Sequence, residues 1–292
     1  MALSRISVVI PPIGPWRDQA RWYRWAEDIG YDVAYTYDHL THRTAVDLWL
    51  GEAFTTLTAA AASTERIRLG TLVASAVFRR PVALARIAMT VQDISAGRLV
   101  LGVGLGAPDC EVANRGERSE LKAMAERFTD VVHGYLAALD GATEWDGATM
   151  SFSRLQSAPA PDGVAPPELL IAAHGPRALA LTVAVADTWN TYGGPAGTQL
   201  EADDFWELLA TQRAGFEEQC AKAGRDPRSV RRSVLLGFGR VRPTSSAGAF
   251  MDAVARVEEL GFDELVVYGP GSSAGLGSDP AVHEQALSRL RG

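Results

Sequence analysis

The chain predicts an α/β fold, a single (β/α)8 barrel of the TIM type over residues 1–292 with an insertion after the fourth helix. Three observations carry that prediction. The run from Glu52 to Gly106, EAFTTLTAAAASTERIRLGTLVASAVFRRPVALARIAMTVQDISAGRLVLGVGLG, alternates helix, strand, helix, strand with no room for a separate loop domain. The 292 residues, 47% of them hydrophobic, suffice to bury one large core at a length common for one-domain barrels. Strand-like and helix-like runs then keep alternating to the C-terminus.

Taken in order, Ile6–Ile10 form a first β-rich run, and Pro11, Pro12, Gly14 and Pro15 break it before an amphipathic helix from Trp16 to Ile29. Gly30 stops that helix, and Asp32–Tyr37 give the second strand. Ala59–Ala62 sit among good helix formers, Arg66–Val73 are the third strand, and Pro81 opens the next helix in a first-turn position that suits proline. Arg98–Val103 are the fourth strand, followed by a longer helix from about Glu117 to Leu139. Residues 141–167 are irregular and are expected to be an insertion segment. Within it, Glu144-Trp145 and Thr149–Phe152 flank Asp146-Gly147 as a hairpin. Glu168–Ala172, Asp187–Thr191, Arg232–Gly237 and Asp263–Tyr268 supply strands five to eight, alternating with helices Pro176–Val185, Asp203–Ala223, Ala247–Leu260 and Pro280–Leu290. The junctions Gly30-Tyr31-Asp32 and Gly261-Phe262-Asp263 repeat one pattern at strand entries, the barrel end associated with stability.

Twenty-eight Lys plus Arg against 35 Asp plus Glu leave a net charge of −7, so no overall positive field attracts nucleic acid or an anionic membrane. Only Lys122 and Lys222 are lysines, and the arginines that supply the rest of the positive charge have a planar fork suited to phosphate and carboxylate. Cys110 and Cys220 form neither a CxxC pair nor a metal spacing and are expected to be reduced. The apolar stretch of MALSRISVVIPP is too short for a signal peptide, and no run approaches the ~20 apolar residues that span a bilayer. The expected location is the cytoplasm. The five histidines, His39, His42, His133, His174 and His283, show no HExxH or paired spacing, so no metal site is expected.

Four blocks in register, EAFTTLTAAAA, STERIRLGTLV, FRRPVALAR and DISAGRLVLGVGLG, resemble the luciferase-like flavin-dependent oxidoreductases. That family includes bacterial luciferases, alkanesulfonate monooxygenases and many deazaflavin-dependent enzymes. The resemblance covers nearly the whole chain, most weakly over 109–120 and 141–167, where relatives carry substrate-facing insertions. Dimers are common in the family, so a homodimer is expected.

Chemistry in such barrels gathers at the C-terminal ends of the strands. Strand two ends in Asp38-His39, a pair that can hold an acid/base group over a pocket or simply cap the next segment. The resemblance implies that His39 lies near the reactive ring carbon of a deazaflavin and that Asp38 supports cofactor or substrate. It also places Glu52 and Phe54 on the substrate side. The Glu52 carboxylate is a candidate proton donor, or equally a favourable charge at a helix N-terminus. By the same resemblance Val73-Ala74-Ser75 lie behind the cofactor's middle ring, with a non-proline cis peptide expected at Ala74-Ser75.

Alternate glycines in Gly102-Val103-Gly104-Leu105-Gly106 permit close approach by a flat ring or phosphate, while their spacing to a helix argues against a Rossmann domain. The run Ala172-Ala173-His174-Gly175-Pro176-Arg177 ends at a helix N-terminus whose free amides, with Arg177, suit a phosphate. Many relatives have two glycines where this chain has Ala172-Ala173. Asn190 or Thr191, in a segment resembling the family's ADGWN block, is a further binding candidate, and Trp189 reads as core.

The leading expectation is therefore an oxidoreductase moving a hydride between coenzyme F-420 and a small organic substrate, with His39 as acid/base group. The alternative cofactor is FMN, used reduced with oxygen in a monooxygenase that needs a flavin reductase partner. A non-catalytic flavin-binding protein, suggested by Ala172-Ala173, and hydrolysis by Asp38 and Glu52 are the remaining alternatives.

Overall fold

The computed structural model describes residues 3–42, 46–271 and 277–291. Its elements follow the order β1 (Arg5–Val9), α1 (Trp16–Ile29), β2 (Val33–Thr36), α2 (Ala53–Ala61), β3 (Arg68–Thr71), β4 (Ala74–Ser75), α3 (Pro81–Ile94), β5 (Leu99–Gly104), α4 (Pro108–Arg115) and α5 (Leu121–Leu139). There follow β6 (Trp145–Asp146), β7 (Ser151–Phe152), β8 (Glu168–Ala172), α6 (Pro176–Val185), β9 (Thr188–Thr191), α7 (Gly194–Gly197), α8 (Ala202–Ala223), β10 (Arg231–Leu235), α9 (Ala247–Glu259), β11 (Glu264–Tyr268) and α10 (Pro280–Arg291).

The sheet runs β3-β2-β1-β11-β10-β9-β8-β5-β4 with every pairing parallel, and β3 also pairs with β5, which closes the ring. Since β4 continues β3 after a two-residue break, the ring is a barrel of eight parallel strands. The lumen is packed by Val9, Val33, Tyr35, Tyr37, Leu72, Val100, Leu170, Leu235, Val266 and Tyr268. A larger apolar layer lies between strands and helices, where Trp189 is fully buried and stacked on Phe216 at 4.7 Å.

At the N-terminal end, the aspartates that lead into strands perform one task. Asp32 accepts from the Ile6 amide at 2.7 Å, Asp187 from Leu169 at 2.8 Å and Asp263 from Arg232 at 2.9 Å. Each thereby satisfies the N–H of the second residue of a neighbouring strand, which accounts for the aspartate of the repeated Gly-aromatic-Asp junctions at 30–32 and 261–263. Gly30 and Gly261 before it adopt φ +92° and +72°, the left-handed turn that ends a helix without a Cβ penalty. Glu168 closes the floor of the lumen, accepting from both arms of Arg5 at 2.8 Å, from Arg68 at 2.5 Å and from Thr188 at 2.7 Å, with Arg231 at 3.3 Å.

Besides the short extra helix α7 and the break of the third strand into β3 and β4, the structure departs from the sequence reading in three further respects. The segment 108–115 is an additional helix, α4, and the barrel helix after it begins at Leu121 rather than Glu117. Pro108 at its N-terminus and Gly116 at φ +78° bound α4. The insertion does form a hairpin, but with strands 145–146 and 151–152, because Asp130 accepts from the amides of Ala148, Thr149 and Met150 and holds 147–150 as the turn. The cis peptide lies at Leu72-Val73 and not at Ala74-Ser75, since Ala74 and Ser75 are engaged in a regular ladder with Val103 and Gly104.

Candidate functional site

Asp38, which follows β2, is 5% exposed, and its carboxylate accepts from the Ser75 amide at 2.9 Å and from the Arg79 fork at 2.5 and 3.1 Å. Burial pushes its pKa up, against the pull of Arg79. Glu52 is the N-cap of α2, accepting from the amides of Phe54 and Thr55 at 3.2 and 2.6 Å, and it also accepts from Arg79 at 2.8 Å. Burial would raise the Glu52 carboxyl, but the hydrogen bonds from Thr55 and Arg79 overcome it and hold the group low. Arg79 thus ties the ends of β2 and β4 to the start of α2, with its guanidinium over the rings of Phe54 and Phe78 at 4.9 and 5.2 Å. Arg79 lies between the two carboxylates and donates to both.

His39 is half-buried, and its pKa falls to about 4 through burial and the neighbouring His42. It is therefore neutral at pH 7. Its Nδ1 lies 3.4 Å from Sγ of Cys110 on α4, and that thiol donates to the Thr41 carbonyl. Tyr37 meets the His39 ring edge-on at 5.4 Å. From Tyr37 an aromatic arc crosses the barrel mouth, to Tyr268 at 6.1 Å, Phe238 at 5.2 Å, Tyr192 at 5.2 Å and His174 at 4.7 Å. It joins the ends of β2, β11, β10, β9 and β8.

The remaining sequence-predicted cofactor positions lie on three adjacent strand ends. Val73, Ala74 and Ser75 border Gly104, Leu105 and Gly106, which border Ala172. The glycines have an internal reason. A Cβ at Gly104 would stand 2.4 Å from Val73 Cγ2, and one at Gly106 2.4 Å from Ser75 Oγ, so the space over them is filled by the offset β3–β4 strand. Ser75 Oγ is buried without a hydrogen-bond partner among the described residues.

Neither Ala172 nor Ala173 adopts a positive φ, so the two alanines strain no backbone where relatives have glycines. The Ala173 side chain packs in the outer core, and only Ala172 faces Gly104. Gly175, the N-cap of α6, makes no side-chain cap, a Cβ there would meet open space, and Pro176 and Arg177 beside it are exposed. Asn190 lies inside the barrel at the level of Ala172, its amide donating to Ser233 at 2.9 Å. Arg79, Cys110 and the arc residues Tyr37, Tyr192, Phe238 and Tyr268 escape the sequence reading. Each is an ordinary strand-end or loop residue, or in the case of Cys110 a residue of the short helix α4, until the barrel closes.

Residues 1–247 match the model of the luciferase-like monooxygenase family. The chain is 28% identical over 289 residues to an F420-dependent glucose-6-phosphate dehydrogenase of Beutenbergia cavernae, covering 93% of this chain and 83% of that one. It is 28% identical over 193 residues to a phthiodiolone/phenolphthiodiolone dimycocerosates ketoreductase of Mycobacterium kansasii, covering 65% of this chain and 49% of that one. It spans about half the length of two mycobacterial relatives it matches, 51% and 49%. Among solved structures, an F420-dependent secondary alcohol dehydrogenase superimposes with TM-score 0.81 at 16% identity, over 99% of this chain and 98% of that one. The F420-dependent tetrahydromethanopterin reductase of Methanopyrus kandleri gives 0.77 at 15% identity, over 98% of each chain. With its closed eight-stranded barrel and its mouth of strand-end residues, the chain belongs to the luciferase-like monooxygenase family of oxidoreductases.

Proposed function

We propose that this protein is a coenzyme F-420-dependent oxidoreductase acting on a small organic substrate in the cytoplasm. The observation that carries the reading is His39, held neutral at the end of β2 beside the aromatic arc, where it can accept a proton from a substrate hydroxyl or return one. The bound deazaflavin would supply hydride chemistry, and the protein's tasks are orientation, water exclusion and proton handling.

The residues present fit such a group. The partly exposed Tyr192 and Phe238 offer apolar faces to a flat ring, and the Ser75 hydroxyl, partnerless among the described residues, and the uncapped α6 terminus with Arg177 offer polar contacts to its ring and anionic tail. The names of relatives and of structural neighbours support F-420 over FMN. Among the described residues no helix is long and apolar enough to cross a membrane, which agrees with a cytoplasmic site of action.

Titration of the apo-protein with F-420, and separately with oxidised and anaerobically reduced FMN, tests the proposal by cofactor fluorescence and absorbance. Tight binding of the deazaflavin alone is expected. Preference for reduced FMN would replace the proposal with an oxygen-using monooxygenase.

A further inference from the structure

His174 follows β8 at the far end of the aromatic arc from His39, and the hydrogen bonds around it leave little freedom in where its proton sits. The side-chain amide of Gln212, on α8, donates through Nε2 to the Gly193 carbonyl at 3.1 Å. Rotating that amide would set its oxygen against a carbonyl oxygen, so the orientation is fixed. Gln212 Oε1 therefore accepts, and its donor is the Thr191 hydroxyl at 2.6 Å. Thr191 is fully buried, and its oxygen also receives the Gly193 N–H at 3.0 Å.

A hydroxyl has one proton, and Thr191 has given it to Gln212. The contact of 3.1 Å between Thr191 Oγ1 and His174 Nδ1 must then be donated by the imidazole. A neutral imidazole with its proton on Nδ1 has a lone pair on Nε2, and Nε2 makes no hydrogen bond within the protein among the described residues. The ring itself is wedged between the edge of Tyr192 and Gly194, where a Cβ would stand 3.4 Å from His174 Cγ.

We infer that Thr191, Gln212 and the Gly193 peptide lock His174 as the Nδ1–H tautomer, so that its Nε2 serves as a fixed hydrogen-bond acceptor for a donor N–H or O–H on the ring of a flavin-type ligand bound at the mouth. The acceptor half of this inference rests on the proposed cofactor binding, and the tautomer half does not. His174 is a binding and positioning residue here, and the selection it exerts is against ring edges that present only acceptors.

Nitrogen-15 spectra of the imidazole side chains, recorded at pH 7 on the full chain, test both halves. Without ligand, the His174 pair of signals should report a protonated Nδ1 and an unprotonated Nε2, and Thr191→Val should collapse that pattern toward a tautomer mixture while Thr191→Ser preserves it. A dominant Nε2–H form in the unsubstituted protein overturns the inference. Adding F-420, or in a second arm FMN, should shift the Nε2 signal. The variant His174→Phe, which keeps an aromatic ring against Tyr192, should bind the same ligand about 3- to 10-fold more weakly, as expected for loss of one neutral hydrogen bond.

Ligand binding with unmoved Nε2 and unchanged affinity in His174→Phe overturns the acceptor role alone. Failure of both ligands to bind overturns the proposed function and the acceptor role with it, while the tautomer result still stands or falls on the ligand-free spectrum.

Discussion

The two ends of this barrel lumen handle polar groups in opposite ways. At the floor, Glu168 collects Arg5, Arg68, Arg231 and Thr188, and charge is closed on charge. At the mouth, the buried ionised groups gather in the Arg79 knot on one side, while Arg242, donating to the Gly237 carbonyl, and the exposed Arg177 lie elsewhere on the rim. The arc between His39 and His174 is aromatic, and both imidazoles are kept neutral with pKa near 4 by burial. The difference separates what a barrel needs in order to stand from what it needs in order to bind. Glu168 at the floor is fully engaged, although the buried Glu264 Oε2 near it has no hydrogen-bond partner among the described residues, whereas at the mouth Ser75 Oγ and His174 Nε2 have none.

Breaking the floor should give the largest effect. Glu168→Ala strands three arginines around an empty centre and should cost about 3 to 5 kcal/mol of stability, the range for removing one partner of a buried ion pair, as read by urea unfolding. The side chain is 12% exposed, so little of that loss is recovered by solvent. The Glu168 carboxyl is held far below its ordinary 4.5: burial raises it, and the arginines, Arg5 foremost, outweigh that. Its stabilisation is therefore complete above pH 4.5 and is lost as pH falls from there toward the folded-state value. A Glu168→Ala chain with unchanged stability would dissolve the contrast between floor and mouth.

Changing the mouth should reverse the signature. His39→Ala is expected to lower turnover by roughly two orders of magnitude while leaving cofactor affinity and unfolding midpoint near their original values. Turnover equal to that of the unsubstituted enzyme would remove the acid/base assignment. Gly104→Ala tests the boundary between the two regions. Its Cβ would meet Val73 Cγ2 at 2.4 Å, and the expected penalty is about 1 to 3 kcal/mol, relieved in the double variant with Val73→Ala. Additive behaviour of the pair would mean that the glycine answers to something other than the offset strand.

Most of the barrel was legible in the sequence because most strands are short β-rich runs bounded by Gly, Pro or Asp, and because each barrel strand is followed by a helix before the next. Helix α4 was hidden by its composition. Half of PDCEVANR is polar, and it folds where Glu111 is buried against Arg127 at 2.6 Å and Ser119, a pairing that periodicity cannot anticipate. The expected catalytic residues do assemble at one end of the barrel, yet their environment was not readable. Asp38 and Glu52 were named as chemical groups, and only three-dimensional closure shows that Arg79 claims both. The thiol beside His39 and the hydroxyl and amide behind His174 come from elements 71, 17 and 38 residues away in the chain, beyond any local pattern.

The contact between Cys110 and His39 has a practical reach. The thiol is 1% exposed, shielded where α4 lies against Thr41 and the His39 ring. A thiol reagent can reach the sulfur only when α4 and the His39–Thr41 segment separate, so the alkylation rate of Cys110 measures how often that contact opens. The enzyme thus carries, in contact with its proposed acid/base group, a native reporter of how often that group's surroundings open to water.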